Sequence, residues 1–244
     1  MLFFSPLEQF TIISLIPMHI GNFYFSFTNS SLFMFLSTGL FMLLCMLVTV
    51  RGGTLIPTPW QSFVEMIYEF VVSLVSEQIG EKGKQYFPML FTLFAFLLCS
   101  NLIGMIPYSF TTTSHFIVTF GLSVSVFIAV TIIGFQIHGL HFFSFLLPPG
   151  APLALAPFLV VIELVSYGFR AISLGVRLFA NMMAGHTLLK VFGGFVVALG
   201  FLGIGPLVVT VALYGLELIV ACLQAYVFAV LTCLYLNDAL HLHH

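Results

Sequence analysis

The stretch AISLGVRLFANMMAGH, residues 171–186, sets Arg177, Asn181 and His186 into one of the most apolar regions of a very apolar chain. Its neighbourhood decides what that means. The 244 residues are 61% hydrophobic and only 6% charged, with a mean hydropathy of +1.19. A soluble domain carries about a quarter charged residues. A surface this poor in charge needs lipid, so the chain reads as an integral membrane protein folded as a single domain of packed spans. A net charge of −2 and a pI near 6.4 offer nothing to nucleic acid. No basic, acid-poor leader opens the sequence, so no cleaved targeting signal is expected.

Working outward from the stretch, a span needs about 20 apolar residues. Residues 31–50, 86–107 and 115–137 each supply one. Residues 154–190, which hold the quoted stretch, and 206–236 are longer than an upright crossing requires, so both are expected to be strongly tilted. Between the first two spans, residues 58–80 place Trp60, Phe63, Val64, Ile67, Val71 and Leu74 on one helical face. Ser62, Glu65, Glu69, Ser73 and Ser76 share the other, which predicts an amphipathic interfacial helix. The expected fold is all-α and polytopic, with five embedded helices and one interfacial helix. Half of the Lys and Arg residues, namely Arg51, Lys82 and Lys84, lie between spans one and two. That puts this loop on the negative side, the N-terminus on the positive side and the C-terminus back on the negative side. The Pro-rich run at 146–157 is the expected loop before the fourth span.

On a helical wheel, Glu163, Ser166, Arg170, Ser173, Arg177 and Asn181 form one stripe, with Ala180 and Ala184 beside Arg177. Small residues flanking a cation allow another helix to approach closely. A charge at mid-bilayer costs at least about 2.5 kcal/mol and usually faces a cavity or a counter-ion. A structural ion pair is the ordinary alternative. It suits Arg170, whose own face carries Glu163 seven residues earlier, but Arg177 has no carboxylate three or four residues away. Glu217 and Gln224 share a face of the last span, and His186 and Asp238 supply further titratable groups. Together they favour a hydrated proton path over a set of neutral core residues. Arginine does not deprotonate in proteins, so the part played by Arg177 is electrostatic.

The remaining signals are weak. His19, His115, His138, His141, His241, His243 and His244 fall at loop or helix ends. Cys45, Cys99, Cys222 and Cys233 show no C-x-x-C spacing, and there is no H-E-x-x-H. No metal site and no cofactor is expected.

SLGVRLFANMMAGH at 173–186 resembles the signature of subunit a of mitochondrial F-type ATP synthases. GLELIVACLQAYVFAVLTCLYLNDA at 215–239, SPLEQF at 5–10 and NLIGMIPYSF at 101–110 resemble further segments of that family. The resemblance implies a stator subunit of the inner membrane, beside a rotating ring of c subunits and in contact with peripheral-stalk subunits and lipid. It implies two offset half-channels and no nucleotide chemistry in this chain, which carries no phosphate-binding loop. Arg177 corresponds to the family's essential arginine facing the ring carboxylate. Asn101, Asn181, His186, Glu217 and Gln224 correspond to the half-channel from the intermembrane side. Glu163 and Asp238 correspond to the half-channel toward the matrix. The rival readings are a quinone-binding or structural subunit of another respiratory complex, and a cation/proton antiporter carrying its own carboxylate opposite the arginine.

Overall fold

A computed structural model describes residues 7–50, 56–107, 109–139, 142 and 156–241. Arg51, His141, His243, His244 and the Pro-rich run up to residue 155 lie outside the described residues. Six α-helices carry the fold: α1 Asn29–Thr49, α2 Pro59–Gln78, α3 Phe87–Gly104, α4 Phe116–His138, α5 Ala156–Leu199 and α6 Ile204–Leu240. Four apolar helical stretches are long enough to cross a bilayer, and the last of them, Pro157–Leu240, contains both α5 and α6. These two fold back on each other, so the stretch supplies two passes. α2 is not among the stretches apolar enough to cross.

Local chemistry explains the helix ends. The Thr28 side chain accepts from the Ser31 backbone while the Ser31 hydroxyl accepts from the Thr28 backbone, a reciprocal cap on α1. Thr58 caps α2, with Pro59 in the first turn, where a missing N–H costs nothing. The bend between α5 and α6 is a short 3-10 turn, Gly200–Gly203. Gly200 sits at φ +54°, and a Cβ on Gly203 would fall 2.5 Å from the Val196 carbonyl oxygen, so both positions require glycine.

Two features depart from the sequence reading. The all-α expectation leaves out two short strand pairs near the N-terminus: β1 Ser14–Ile16 pairs with β4 Phe27–Thr28, and β2 His19–Ile20 pairs with β3 Phe23–Tyr24 around Gly21 at φ +61°. Strands this short give almost no periodic signal. In α2 the face turned to the bundle is Gln61, Ile67, Val71, Leu74 and Val75, whereas Trp60 and Phe63 are exposed. In the first turn the inward position is therefore taken by Gln61, while the apolar Trp60 and Phe63 are turned away from the bundle.

The core joins α2, α3, α4, α5 and α6 through Val71, Leu90, Leu97, Val130, Leu174, Leu178, Phe228 and Leu236. α4 and α5 approach so closely that a Cβ on Gly175 would lie 3.1 Å from the Phe120 Cα and the Thr119 carbonyl oxygen. The Ser123 hydroxyl donates to the Ala171 carbonyl across this contact. The buried Ser100 hydroxyl of α3 donates to Ser37 of α1 at 3.2 Å, and Ser37 donates in turn to the Met34 carbonyl, so both hydroxyls are satisfied away from water.

Candidate functional site

α5 is divided lengthwise. Ala171, Leu174, Leu178 and Met182 are buried at helical spacing, while Ile172, Ser173, Val176, Arg177, Ala180, Asn181 and Ala184 are exposed. Burying the first set against α4 and α6 turns the second set outward. Arg177 thus stands on an open face among small neighbours, and among the described residues it forms no ion pair with a carboxylate.

α6 runs antiparallel to α5, and its polar residues meet those of α5 in two places. At one end Arg170 Nη2 lies 3.3 Å from Glu163 Oε1, and Arg170 Nη1 lies 3.6 Å from Asp238 Oδ2 of α6. The guanidinium bridges both carboxylates, one through each terminal nitrogen. Arg170 therefore has two acidic partners, of which only Glu163 was legible from its own helix. Beside them the hydroxyls of Tyr167 and Thr131 are 3.1 Å apart.

Toward the other end, Asn181 Nδ2 donates to Gln224 Oε1 at 2.9 Å. One to two turns further, His186 Nδ1 lies 3.0 Å from Glu217 Oε1. This is a close approach rather than an aligned hydrogen bond, and the buried Glu217 oxygens and Gln224 Nε2 find no hydrogen-bond partner among the described residues. Gly185 makes the approach possible, since a Cβ there would fall 2.7 Å from Glu217 Oε1. Asn101 of α3 joins from behind: its Nδ2 donates to the Ala221 carbonyl at 3.1 Å, and the Thr113 hydroxyl donates to its Oδ1 at 2.9 Å.

A cavity of about 870 Å³ opens beside this second cluster. His186 and Thr111 line it, together with Glu8, Lys190, Thr210 and Tyr214. Thr111, Thr113, Lys190 and Glu8 escaped the sequence reading. The hydroxyl-rich run TTTS at 111–114 was the available signal: all four residues are buried, an unusual place for consecutive hydroxyls.

Between the clusters the buried contacts are mostly apolar; Thr232, also buried there, donates its hydroxyl to the Phe228 carbonyl of its own helix. Leu174, Leu178, Ala225, Phe228 and Ala229 are almost fully buried there and belong to one core. Such a layer offers few polar partners with which to hold water. Among the described residues no group of three or more His, Cys, Asp or Glu is gathered around a metal position.

The chain matches the family model described as ATP synthase A chain over residues 31–237. It is 63% identical to ATP synthase subunit a of Marchantia polymorpha, covering 98% of this chain and 99% of the relative. It is 61% identical to ATP synthase subunit a-2 of Arabidopsis thaliana, over 98% of this chain and 72% of the relative. It is 60% identical to ATP synthase subunit a of Brassica napus, over 98% and 97%. An arginine held on an open helix face between two polar clusters of one helix pair is thus found in a chain that belongs, along nearly its whole length, to the ATP synthase subunit a family, the proton-translocating subunit of that enzyme's membrane sector.

Proposed function

We propose that the two polar clusters are the inner ends of two half-channels that open on opposite sides of the mitochondrial inner membrane. The observation that carries this reading is their separation: Asn181, His186, Glu217 and Gln224 lie on one side of the apolar layer, and Glu163, Arg170 and Asp238 lie on the other. A proton enters by the cavity beside His186, passes Glu217 and the Gln224–Asn181 pair, and reaches the open face of α5. There it neutralises a carboxylate of a c-ring subunit, rides the rotating ring and is released toward Glu163 and Asp238. Arg177 faces the ring between the two positions. Its fixed charge attracts the ionised ring carboxylate and repels a proton that would cross directly. Asn101 holds the α6 backbone behind the intake path, and Ser173 lies on the ring-facing stripe. The chain itself performs no nucleotide chemistry. It acts as stator, tied to the peripheral stalk and other membrane subunits, with its N-terminus on the intermembrane side and its C-terminus in the matrix.

An antiporter would carry the exchanging carboxylate opposite Arg177 on its own helices. The unpaired state of Arg177 among the described residues supports a partner-borne carboxylate instead. Single cysteines at positions 163, 186, 217 and 238, introduced into a Cys-free chain within the assembled complex, test the two-sided arrangement. Thiol reagents confined to the intermembrane side are expected to label positions 186 and 217 only, and matrix-side reagents 163 and 238 only. Labelling of all four from one side would mean one continuous pore.

A further inference from the structure

The loop between α3 and α4 places a hydroxyl on the far nitrogen of His186. Thr111 Oγ1 lies 2.8 Å from His186 Nε2 and 3.3 Å from the Gly104 carbonyl oxygen. Thr111 is 5% exposed and the His186 side chain 12%, so water competes little for either. The loop closes tightly on the last turn of α3: a Cβ on Gly104 would fall 2.7 Å from Thr111 Cγ2 and 2.9 Å from its Oγ1. The hydroxyl is therefore held in place from two sides.

A hydroxyl has one proton to donate and lone pairs to accept with. The Gly104 carbonyl can only accept, so the hydroxyl proton satisfies both contacts only when it points to Gly104. Thr111 Oγ1 then accepts from His186, and the neutral imidazole carries its proton on Nε2. The other arrangement, with the hydroxyl donating to Nε2, would set two oxygen lone pairs against each other at 3.3 Å. The free lone pair of His186 is then on Nδ1, the nitrogen 3.0 Å from Glu217 Oε1. His186 lines the cavity, and Glu217 is not among the cavity-lining residues described.

We infer that Thr111 is a positioning residue of the intake path, locking His186 as the Nε2–H tautomer so that all proton exchange passes through Nδ1. At rest the protonated Glu217 carboxyl faces the Nδ1 lone pair; once Glu217 has passed that proton inward, a proton from cavity water binds Nδ1 and makes the imidazolium. The Nδ1–H bond then breaks as an O–H bond forms on the Glu217 carboxylate, and His186 returns to the same neutral tautomer. Without the hydroxyl the imidazole could bind its proton on Nδ1 instead, which leaves no acceptor facing Glu217.

The inference rests on the reading of His186 as part of the intake path, and the test separates the two. ATP-driven proton uptake is measured in sealed membrane vesicles, per assembled complex, for Thr111→Val, Thr111→Ser, His186→Ala and the double variant Thr111→Val with His186→Ala. Thr111→Val keeps the shape and removes the hydroxyl, and uptake is expected to fall about tenfold, the order of effect of groups that orient a working histidine. Thr111→Ser restores the hydroxyl and is expected to stay within about twofold of the unaltered complex, far from the valine variant on that scale. In the His186→Ala background Thr111→Val is expected to add no further loss. Full uptake by Thr111→Val, equal loss in Ser and Val, or an additional loss in the double variant would overturn the role of Thr111 alone. Failure of Thr111→Val to assemble would also overturn it, by making the residue structural. Full uptake by His186→Ala would remove the path on which the inference stands.

Discussion

At the scale of single residues, Arg177 and Gly185 contribute in opposite ways, one by its charge and the other by its missing side chain. Arg177→Gln is expected to abolish proton-driven ATP synthesis while the complex still assembles, because a ring carboxylate could then pass without giving up its proton. Arg177→Lys is expected not to restore coupling, since an ammonium lacks the planar fork and loses its proton when desolvated. Coupled synthesis in vesicles of the Gln variant would refute the electrostatic role. Gly185→Ala places a methyl group 2.7 Å from Glu217 Oε1 and 2.8 Å from its Cδ. The buried carboxyl must move, at a strain of about 1–3 kcal/mol typical of overpacking. Proton uptake is expected to fall in this variant while the Arg170 cluster remains intact. A rate equal to that of the unaltered complex would show that Glu217 has room to spare. Arg177 was legible in the sequence because a charge in an apolar run is rare. The need for glycine at 185 was not, because it depends on a residue 32 positions later in the chain brought alongside by the fold.

Among the elements, α5 and α6 raise a problem of length. The 44 residues of α5 extend to about 66 Å and the 37 of α6 to about 55 Å, against a hydrocarbon core of about 30 Å. Nor can α5 project far into water: Phe158, Val161 and Ile162 near its start and Val197, Phe201 and Leu202 at its far end and the following turn are exposed and apolar. Keeping both ends in lipid requires an inclination well beyond the ~20° average of membrane helices. Imaging of the complex in a lipid disc is expected to show α5 inclined far more steeply than α4, and an α5 axis close to the membrane normal would contradict this. The apolar runs revealed the long helices because hydropathy depends only on composition over some twenty residues. The same runs could not locate the inward face of α2 at Trp60 and Phe63, where the determining quantity is which neighbour lies alongside. The β1–β4 and β2–β3 pairs were equally hidden, since segments of two or three residues carry no measurable period.

Across the whole molecule, the proposed topology puts an odd number of crossings between the two termini. With α1, α3, α4, α5 and α6 each crossing once and α2 remaining at the surface, tags on the N- and C-termini are expected to be reached from opposite faces of sealed vesicles. Tags reached from the same face would mean that one of these helices does not cross or that α2 does. The glycine bend at Gly200–Gly203 also has a consequence during biosynthesis. Emerging alone from the ribosome, α5 would bring Glu163, Arg170, Arg177, His186 and Lys190 toward lipid, and each centrally placed charge opposes integration by roughly 2.5–3.5 kcal/mol. Asp238 and Glu217, which meet Arg170 and His186 in the finished structure, are both translated after the bend, as is Gln224, the partner of Asn181. The two helices should therefore leave the insertion machinery as one hairpin, with α5 kept waiting until α6 is made. A segment of residues 156–203 made without the earlier helices is expected to remain extractable from membranes by alkali, and one continued through Leu240 to resist it, so α5 integrates only once α6 is made.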